Sequence, residues 1–164
     1  MGNLPRGEKI WLAAAALLTL LCCNAVFLGS YVDDLIWVLL SQNMLRGSVQ
    51  AAWSYSPRLE TSATWGFSAL LMPAVAVFGS NALALKAAAA AMLLAGVGLF
   101  YAGVRRRLAP AARHALLAAL FFNGYYLSFA GAVISEAGYV LLFGLWVYLA
   151  LGRRWLWDDR LSRT

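Results

Sequence analysis

Five long apolar runs dominate this sequence and constrain its fold more than any other feature. They cover residues 11–30, 62–79, 82–104, 115–133 and 137–152. A helix needs about 20 mostly apolar residues to cross the core of a bilayer, and the first, third and fourth runs approach that length. The second run is shorter and contains Pro73, and the fifth precedes Arg153 and Arg154, whose long stems can reach the interface. The runs predict an all-α, polytopic transmembrane helix bundle.

The composition supports a lipid environment for most of the chain. Of the 164 residues, 63% are hydrophobic and only 12% are charged, whereas soluble domains carry about 25% charged residues. A water-soluble fold of this size would lack the polar side chains needed to cover its apolar surface. We therefore predict one transmembrane module over residues 1–164.

The basic residues lie beside the apolar runs and not in a separate patch. They form three clusters, namely Arg6 with Lys9, Arg105–Arg107 with Arg113, and Arg153–Arg154 with Arg160 and Arg163. This distribution is typical of cytoplasmic membrane flanks that meet anionic lipid headgroups. The net charge of +6 therefore indicates membrane lipid and not nucleic acid as the partner. The distribution of the basic residues predicts a multi-pass protein of the inner (plasma) membrane with a cytoplasmic N-terminus.

The only long polar connection covers residues 31–61 and is predicted to be an external loop. Within it, residues 34–46 have apolar positions at 35, 36, 39, 40 and 44. That spacing suits a juxtamembrane amphipathic helix in the interface, ended by Gly47. Trp53 and Tyr55 are aromatic residues of the kind that lie at headgroup level.

The basic clusters also limit how runs 62–79 and 82–104 can be arranged. If both runs crossed the membrane fully, Arg105–Arg107 would lie outside, against the positive-inside tendency. If the two runs together make one net crossing, these arginines lie inside and Glu136 lies outside with Asp33. The second arrangement is preferred, with the run that contains Pro73 partly re-entrant or interfacial.

Seven acidic residues limit the chemistry that the chain can perform. Three of them are surrounded by basic residues near the termini and are predicted to be solvated: Glu8, Asp158 and Asp159. The other four lie at the ends of apolar runs and, in the preferred arrangement, on one face of the membrane: Asp33, Asp34, Glu60 and Glu136. Lys86, early in the third run, is predicted to snorkel to the interface, with contact to a phosphate as the alternative.

The adjacent Asp33 and Asp34 allow two interpretations. A single aspartate would be explained as a helix N-cap, favoured by the helix dipole. Two adjacent carboxylates exceed what a cap requires. They could hold a divalent cation, or one of them could act as a general base.

A series of short motifs follows in order along the chain. The motifs are an acidic pair followed by a helix ending in Asn-x-x-x-Gly, a Tyr-x-Pro turn with a downstream Glu, and two shorter landmarks. They occupy residues 33–47, 55–65, 78–81 and 134–136. This set resembles the N-terminal transmembrane module of GT-C glycosyltransferases, including bacterial arabinofuranosyl- and mannosyltransferase-like members. The resemblance covers nearly the whole chain in the family's order, and the ordered set is more specific than any single motif.

The resemblance implies transfer of a sugar from a polyprenyl-phosphate donor to an acceptor on the external face. Asp33 and Asp34 would be the catalytic residues, with Asp33 as the general base. Arg58, Glu60 and Glu136 would bind the substrate. Asp34, Glu60 and Glu136 would also be the ligands of a divalent metal such as Mg²⁺ or Mn²⁺.

Two other functional classes are considered beside the glycosyltransferase. Family members are usually much longer, so the chain could be a non-catalytic subunit that binds a lipid-linked sugar or supports a second subunit supplying the missing spans. A small transporter is the third class. Transporters place functional charges near the bilayer midplane, whereas the acidic residues here lie at the ends of runs. That placement disfavours transport.

Overall fold

The computed structural model describes residues 4–23, 32–48 and 65–152. The regular structure in these ranges is entirely helical, which confirms the all-α prediction. The α-helices in them are α1 (Arg6–Cys22), α2 (Val32–Leu45), α3 (Trp65–Phe78), α4 (Ala82–Val104), α5 (Pro110–Phe121), α6 (Gly124–Ala130) and α7 (Ser135–Val147). A 3₁₀ turn, Arg105–Arg107, extends α4, and a π-helical turn, Tyr148–Gly152, extends α7.

Helix α2 corresponds to the helix predicted over residues 34–46. It ends where the sequence indicated, because Gly47 has a positive φ of 75°. The Gly47 amide donates to the Met44 carbonyl at 3.0 Å, and the Ser48 amide donates to the Asn43 carbonyl at 2.9 Å. This pair of bonds is a Schellman motif, and it satisfies carbonyls that the helix end leaves free.

Helix α4 and its 3₁₀ extension form the longest apolar helix among the described residues. Asn81 caps its first turn by accepting a hydrogen bond from the Ala84 amide at 3.0 Å. The combined helix, Ala82–Arg107, has 26 residues and a mean hydropathy of 2.0 over its most apolar window. Within the described ranges it alone is long and apolar enough to cross a membrane by itself. The pair α6 and α7 would provide a second span only if the two helices, bent by 115°, were one broken span.

The apolar run over residues 115–133 is not one helix, which corrects the near-span expected there. Helix α5 ends at Phe121, and α6 starts at Gly124 after a break at Phe122 and Asn123. The Asn123 side chain accepts a hydrogen bond from the Tyr125 amide at 2.9 Å and so caps the new helix. Asparagine is a strong N-cap, so a polar residue inside an apolar run here starts a second helix.

The closest helix pair is α4 with α7, which run in the same direction. Gly96 lies against the backbone of Val140, and Gly103, further along α4, lies against Tyr148. A Cβ at Gly144 would collide with the carbonyl oxygen of Gly96. Glycines at these positions let the two backbones approach more closely than larger residues would permit.

Contacts of α1 define two ends of the bundle. Glu8, in its first turn, forms ion pairs with Arg105 and Arg113, and we call this the basic end. At the other end of α1, the Cys23 thiol donates to the Ala130 carbonyl at 3.3 Å. Fifteen residues of helix separate these contacts, or roughly 22 Å. Helix α1 therefore leaves the basic end, and α4 returns to it.

Helix α3 begins and finishes away from the basic end. Near its start, Phe67 packs against Gly138 in the second turn of α7. Its last residue, Phe78, is joined to the first residue of α4 by residues 79–81 alone. Gly79 makes this tight connection with a φ of 59°. The helix that contains Pro73 thus runs from the start of α7, which lies level with the middle of α4, to the start of α4.

Candidate functional site

Glu136 is the predicted site residue whose side chain the structure describes. It lies in the first turn of α7, and its side chain is exposed. The Ser135 hydroxyl donates to one of its carboxylate oxygens at 3.3 Å. A carboxylate in this position also interacts favourably with the positive end of the helix dipole. Glu136 is therefore held at the helix start with its charge available to a ligand.

A groove with a volume of about 400 Å³ opens beside Glu136, between α3 and α7. Apolar and aromatic side chains form most of its walls, with Ser135 and Glu136 as polar groups. The lining residues are Gly66, Phe67, Leu70, Ser135, Glu136, Gly138, Tyr139 and Leu142. A concave, mainly apolar surface with a few polar groups is the usual form of a small-ligand site. We call it the Glu136 groove.

Gly138 makes the contact that shapes this groove. A Cβ built on Gly138 would lie 2.7 Å from Cδ2 of Phe67 and 3.3 Å from Cδ1 of Leu70. Real Cβ atoms do not approach other carbons this closely, so only glycine lets α3 pack at this distance. The start of α3 and the start of α7 therefore form opposite walls of the groove.

Helix α2, which carries the acidic pair, packs on the same helix α3. The rings of Trp37 and Phe67 meet edge to face with centroids 5.7 Å apart. The Ser41 hydroxyl donates to the Ser68 carbonyl at 2.9 Å, and the Ser68 hydroxyl donates to the Trp37 carbonyl at 3.4 Å. Phe67 thus contacts α2 through Trp37 and also lines the Glu136 groove.

The remaining predicted site residues are described in part or not at all. The backbones of Asp33 and Asp34 lie in the first turn of α2, while their side chains fall outside the described residues. Arg58 and Glu60 also fall outside those residues. Within the described parts of the chain, no three His, Cys, Asp or Glu side chains lie close enough to share a metal ion. The predicted metal ligands Asp34, Glu60 and Glu136 therefore remain a prediction.

A buried ion cluster at the basic end was not predicted. Glu8 is only 2% exposed, so the expectation of a solvated terminal residue was wrong. Its carboxylate lies 3.5 Å from an Nη1 atom of Arg105 and 3.4 Å from Nη1 of Arg113. Burying a carboxylate is costly unless it is paired, and two arginines supply that pairing. One feature of the sequence could have indicated this pairing. Glu8 is an acidic residue beside the first apolar run, where the neighbouring charged residues are basic.

Lys86 is also buried, at 2% exposure, and so does not snorkel to the interface as predicted. It lies five residues into α4 and close to Cys23 at the end of α1. These neighbours put its ammonium group at the end of the bundle away from Arg105. The position of Lys86 in the apolar run could not show whether its side chain is buried or snorkels, because the neighbouring alanine and leucine residues are compatible with either.

Comparison of the chain with protein-family models, with curated proteins and with solved structures finds no match.

Proposed function

We propose that this chain is a membrane glycosyltransferase of the GT-C type, or the N-terminal module of one. It transfers a sugar from a polyprenyl-phosphate donor to an acceptor on the external face. The ordered motifs suggest this chemistry. The observation that carries the proposal is the position of Phe67, which contacts the helix of Asp33 and Asp34 and also lines the groove of Glu136.

The separation of charge along the bundle supports a position for the site on the external side of the basic end. Tyr148 packs beside Gly103 near the basic end, and Glu136 lies twelve residues earlier on α7, roughly 18 Å away. Basic flanks favour the cytoplasmic side of a membrane. With the basic end in the cytoplasm of a plasma-membrane protein, α4 and α7 would cross in the same direction, and the contact of Gly96 with Val140 would place the Glu136 groove level with the middle of α4.

The course of α3 supports the same orientation. Glu8 and Arg105 are in contact, so the chain between them must return to the side from which it started. Helix α1 accounts for one crossing and α4 for the other. Helix α3 then makes no crossing of its own, which agrees with the arrangement that the positive-inside tendency favours.

In the proposed reaction, the acceptor hydroxyl attacks the anomeric carbon of the donor and gives its proton to Asp33. The bond between that carbon and the phosphate oxygen breaks, and the polyprenyl phosphate leaves. Arg58 stabilises the charge that develops on the phosphate. Asp34, Glu60 and Glu136 position the donor and are the residues that would hold a divalent metal, which would supply further positive charge at the phosphate.

The test is sugar transfer by membranes that contain the Asp33→Asn variant. Asp33 lies within the first turn of α2, and asparagine keeps the size of aspartate there, so expression and membrane insertion should be unchanged. A general base contributes about 10²–10⁴-fold to rate, so transfer from a labelled polyprenyl-phosphate sugar should fall by that factor. Asp34→Asn is the matched variant at the adjacent position, and its loss should be smaller.

Two results would contradict the proposal in different ways. Normal transfer by Asp33→Asn would leave the acidic pair only its favourable interaction with the dipole of α2. No transfer by the wild-type chain, alone or with a partner subunit, combined with retained binding of the lipid-linked sugar, would favour a non-catalytic binding subunit.

A further inference from the structure

Glu136 is a carboxylate that no described basic side chain neutralises. Among the described residues, the ion pairs are those of Glu8 with Arg105 and Arg113 at the basic end. The Ser135 hydroxyl donates to Glu136 at 3.3 Å, and the dipole of α7 supplies roughly half a positive charge at its first turn. These contacts offset part of the negative charge of the carboxylate. The remainder is available to a ligand in the Glu136 groove.

The walls of the groove place this charge in an apolar and aromatic surrounding. The side chains of Phe67, Leu70, Tyr139 and Leu142 line it, and its volume is about 400 Å³. No lysine, arginine or histidine occurs among the described residues of the lining. A concave surface of this kind binds molecules that are mostly apolar and that match its few polar groups. Here the matching group is a cation.

The spacing of Glu136 and Tyr139 on α7 suits a cation further. The two residues lie three positions apart on one helix, hence on the same face, and both line the groove. Tyr139 stacks on Phe143 with centroids 6.2 Å apart and planes inclined by 6°, which restrains the ring, yet it is 70% exposed. A cation within about 6 Å of the centroid of an aromatic ring is attracted by the face of that ring. One ammonium group can therefore meet both the carboxylate and the ring.

The level of Glu136 along the bundle favours a cation with an apolar body. Gly96 lies against Val140, so Glu136, one turn before Val140, is level with the middle of α4. In the membrane orientation proposed above, this level lies within the hydrocarbon. An ionisable side chain at such a depth faces a cavity and meets a partner there. An organic cation can reach this level, whereas a hydrated metal ion such as Mg²⁺ gives up its water reluctantly.

We propose that the Glu136 groove binds a lipophilic organic cation, a molecule that carries an ammonium group on an apolar body. The ammonium group lies between the Glu136 carboxylate and the Tyr139 ring, and the body packs against Phe67, Leu70 and Leu142. The inference goes beyond the proposed function, because this binding does not require sugar transfer. The ligand is a free cation and not an aminolipid, whose phosphate would bring a second negative charge close to the carboxylate.

The experiment compares two probes of the same shape, benzyltrimethylammonium and its neutral hydrocarbon analogue neopentylbenzene. Binding of each to the full chain is measured by equilibrium dialysis in an uncharged detergent, with empty micelles as the blank. The chain should bind the cation about tenfold more tightly than the neutral probe, since both bury the same apolar surface and only one is charged. Saturating benzyltrimethylammonium should also raise the temperature of thermal unfolding, because it binds the folded chain.

Glu136→Gln should reduce the affinity for benzyltrimethylammonium about tenfold and leave that for neopentylbenzene unchanged, because only the charge is removed. Glu8→Gln is the matched control, since it removes the same charge outside the groove. Tyr139→Leu should also weaken binding of the cation alone, because leucine keeps an apolar contact and removes the ring. Its control is Trp146→Leu, because Trp146 stacks on Phe143 and is 61% exposed but does not line the groove. Thermal unfolding of each variant identifies any that fail to fold.

Equal affinity for the two probes, or an equal loss of cation binding in Glu136→Gln and Glu8→Gln, would overturn the inference. Displacement of the cation by Mg²⁺ at constant ionic strength would identify a metal site, and displacement by phosphatidylethanolamine would identify a lipid headgroup site. Either result would overturn it as well. Selective cation binding by a chain that transfers no sugar would support the inference and contradict the proposed function. Sugar transfer without selective cation binding would do the reverse.

Discussion

Replacing Glu8 by glutamine should destabilise the protein. The amide removes the negative charge that faces Arg105 and Arg113 while keeping the shape of the side chain. Hydrogen bonds to charged groups contribute about 1.5–3 kcal/mol each. Because the two arginines are partly exposed, the total loss in the free energy of unfolding should lie in the lower half of that range. Thermal unfolding of the purified protein in detergent measures it.

The exposed neighbour Lys9 provides the control for this change. Lys9→Gln alters the net charge by one at the next position but removes no buried contact. It should leave the unfolding temperature nearly unchanged, because surface charges contribute little to stability. Glu8→Gln raises the net charge and Lys9→Gln lowers it, so effects of equal size and opposite sign would mean that Glu8 acts through net charge and not through its ion pairs.

Among helices, the α4–α7 contact gives the sharpest prediction. Gly96→Ala should destabilise the bundle by several kcal/mol, because the new Cβ would lie 2.5 Å from the backbone of Val140, which cannot move without separating the helices. Gly98→Ala, two residues along the same helix, meets nothing within 4 Å. It should be neutral or should stabilise by about 0.5–1 kcal/mol through helix propensity.

Thermal unfolding in the same detergent, without added denaturant, compares the stability of the two glycine variants. The opposite signs expected for Gly96→Ala and Gly98→Ala distinguish close helix packing from a general effect of alanine. If both variants lost stability equally, the close approach of α4 and α7 would not be the reason that glycine is required at residue 96.

Helix identity and position were largely predictable from local sequence. Helix α2 ends at Gly47 because glycine readily adopts a positive φ, and that preference is visible in the sequence alone. The break at Asn123 was not predicted, because hydropathy averages over a single polar residue. Its capping role depends on the direction of one side chain, which the hydropathy of residues 115–133 does not encode.

The site was predictable to a smaller extent, because its contacts are long-range. Glu8 pairs with residues 97 and 105 positions away, so its burial depends on how α1 packs against α4 and α5. The Glu136 groove likewise depends on Gly138 accepting Phe67 from α3. Sequence analysis identified Glu136 by its position at the end of an apolar run, but not the helix that faces it.

At the scale of the whole molecule, the proposed function requires a membrane to hold the basic end and the start of α4 on opposite sides. Ser80 lies just before α4 and is exposed, and Ser135 begins α7. Ala109 is exposed just after the Arg105–Arg107 turn. These three positions report on the two ends without removing a charge.

Single cysteines at these positions should therefore react differently with a membrane-impermeant thiol reagent, in a background where Cys22 and Cys23 are alanine. Ser80→Cys should be modified in intact cells, because it lies at the end that the proposal places outside, and Ser135→Cys should be modified there if the Glu136 groove is open to that side. Ala109→Cys should be modified only after permeabilisation, because it accompanies the basic end. Modification of Ala109→Cys in intact cells would reverse the orientation. Modification of Ser135→Cys without Ser80→Cys would require α3 or α4 to cross differently, and would separate Glu136 from the helix that carries Asp33.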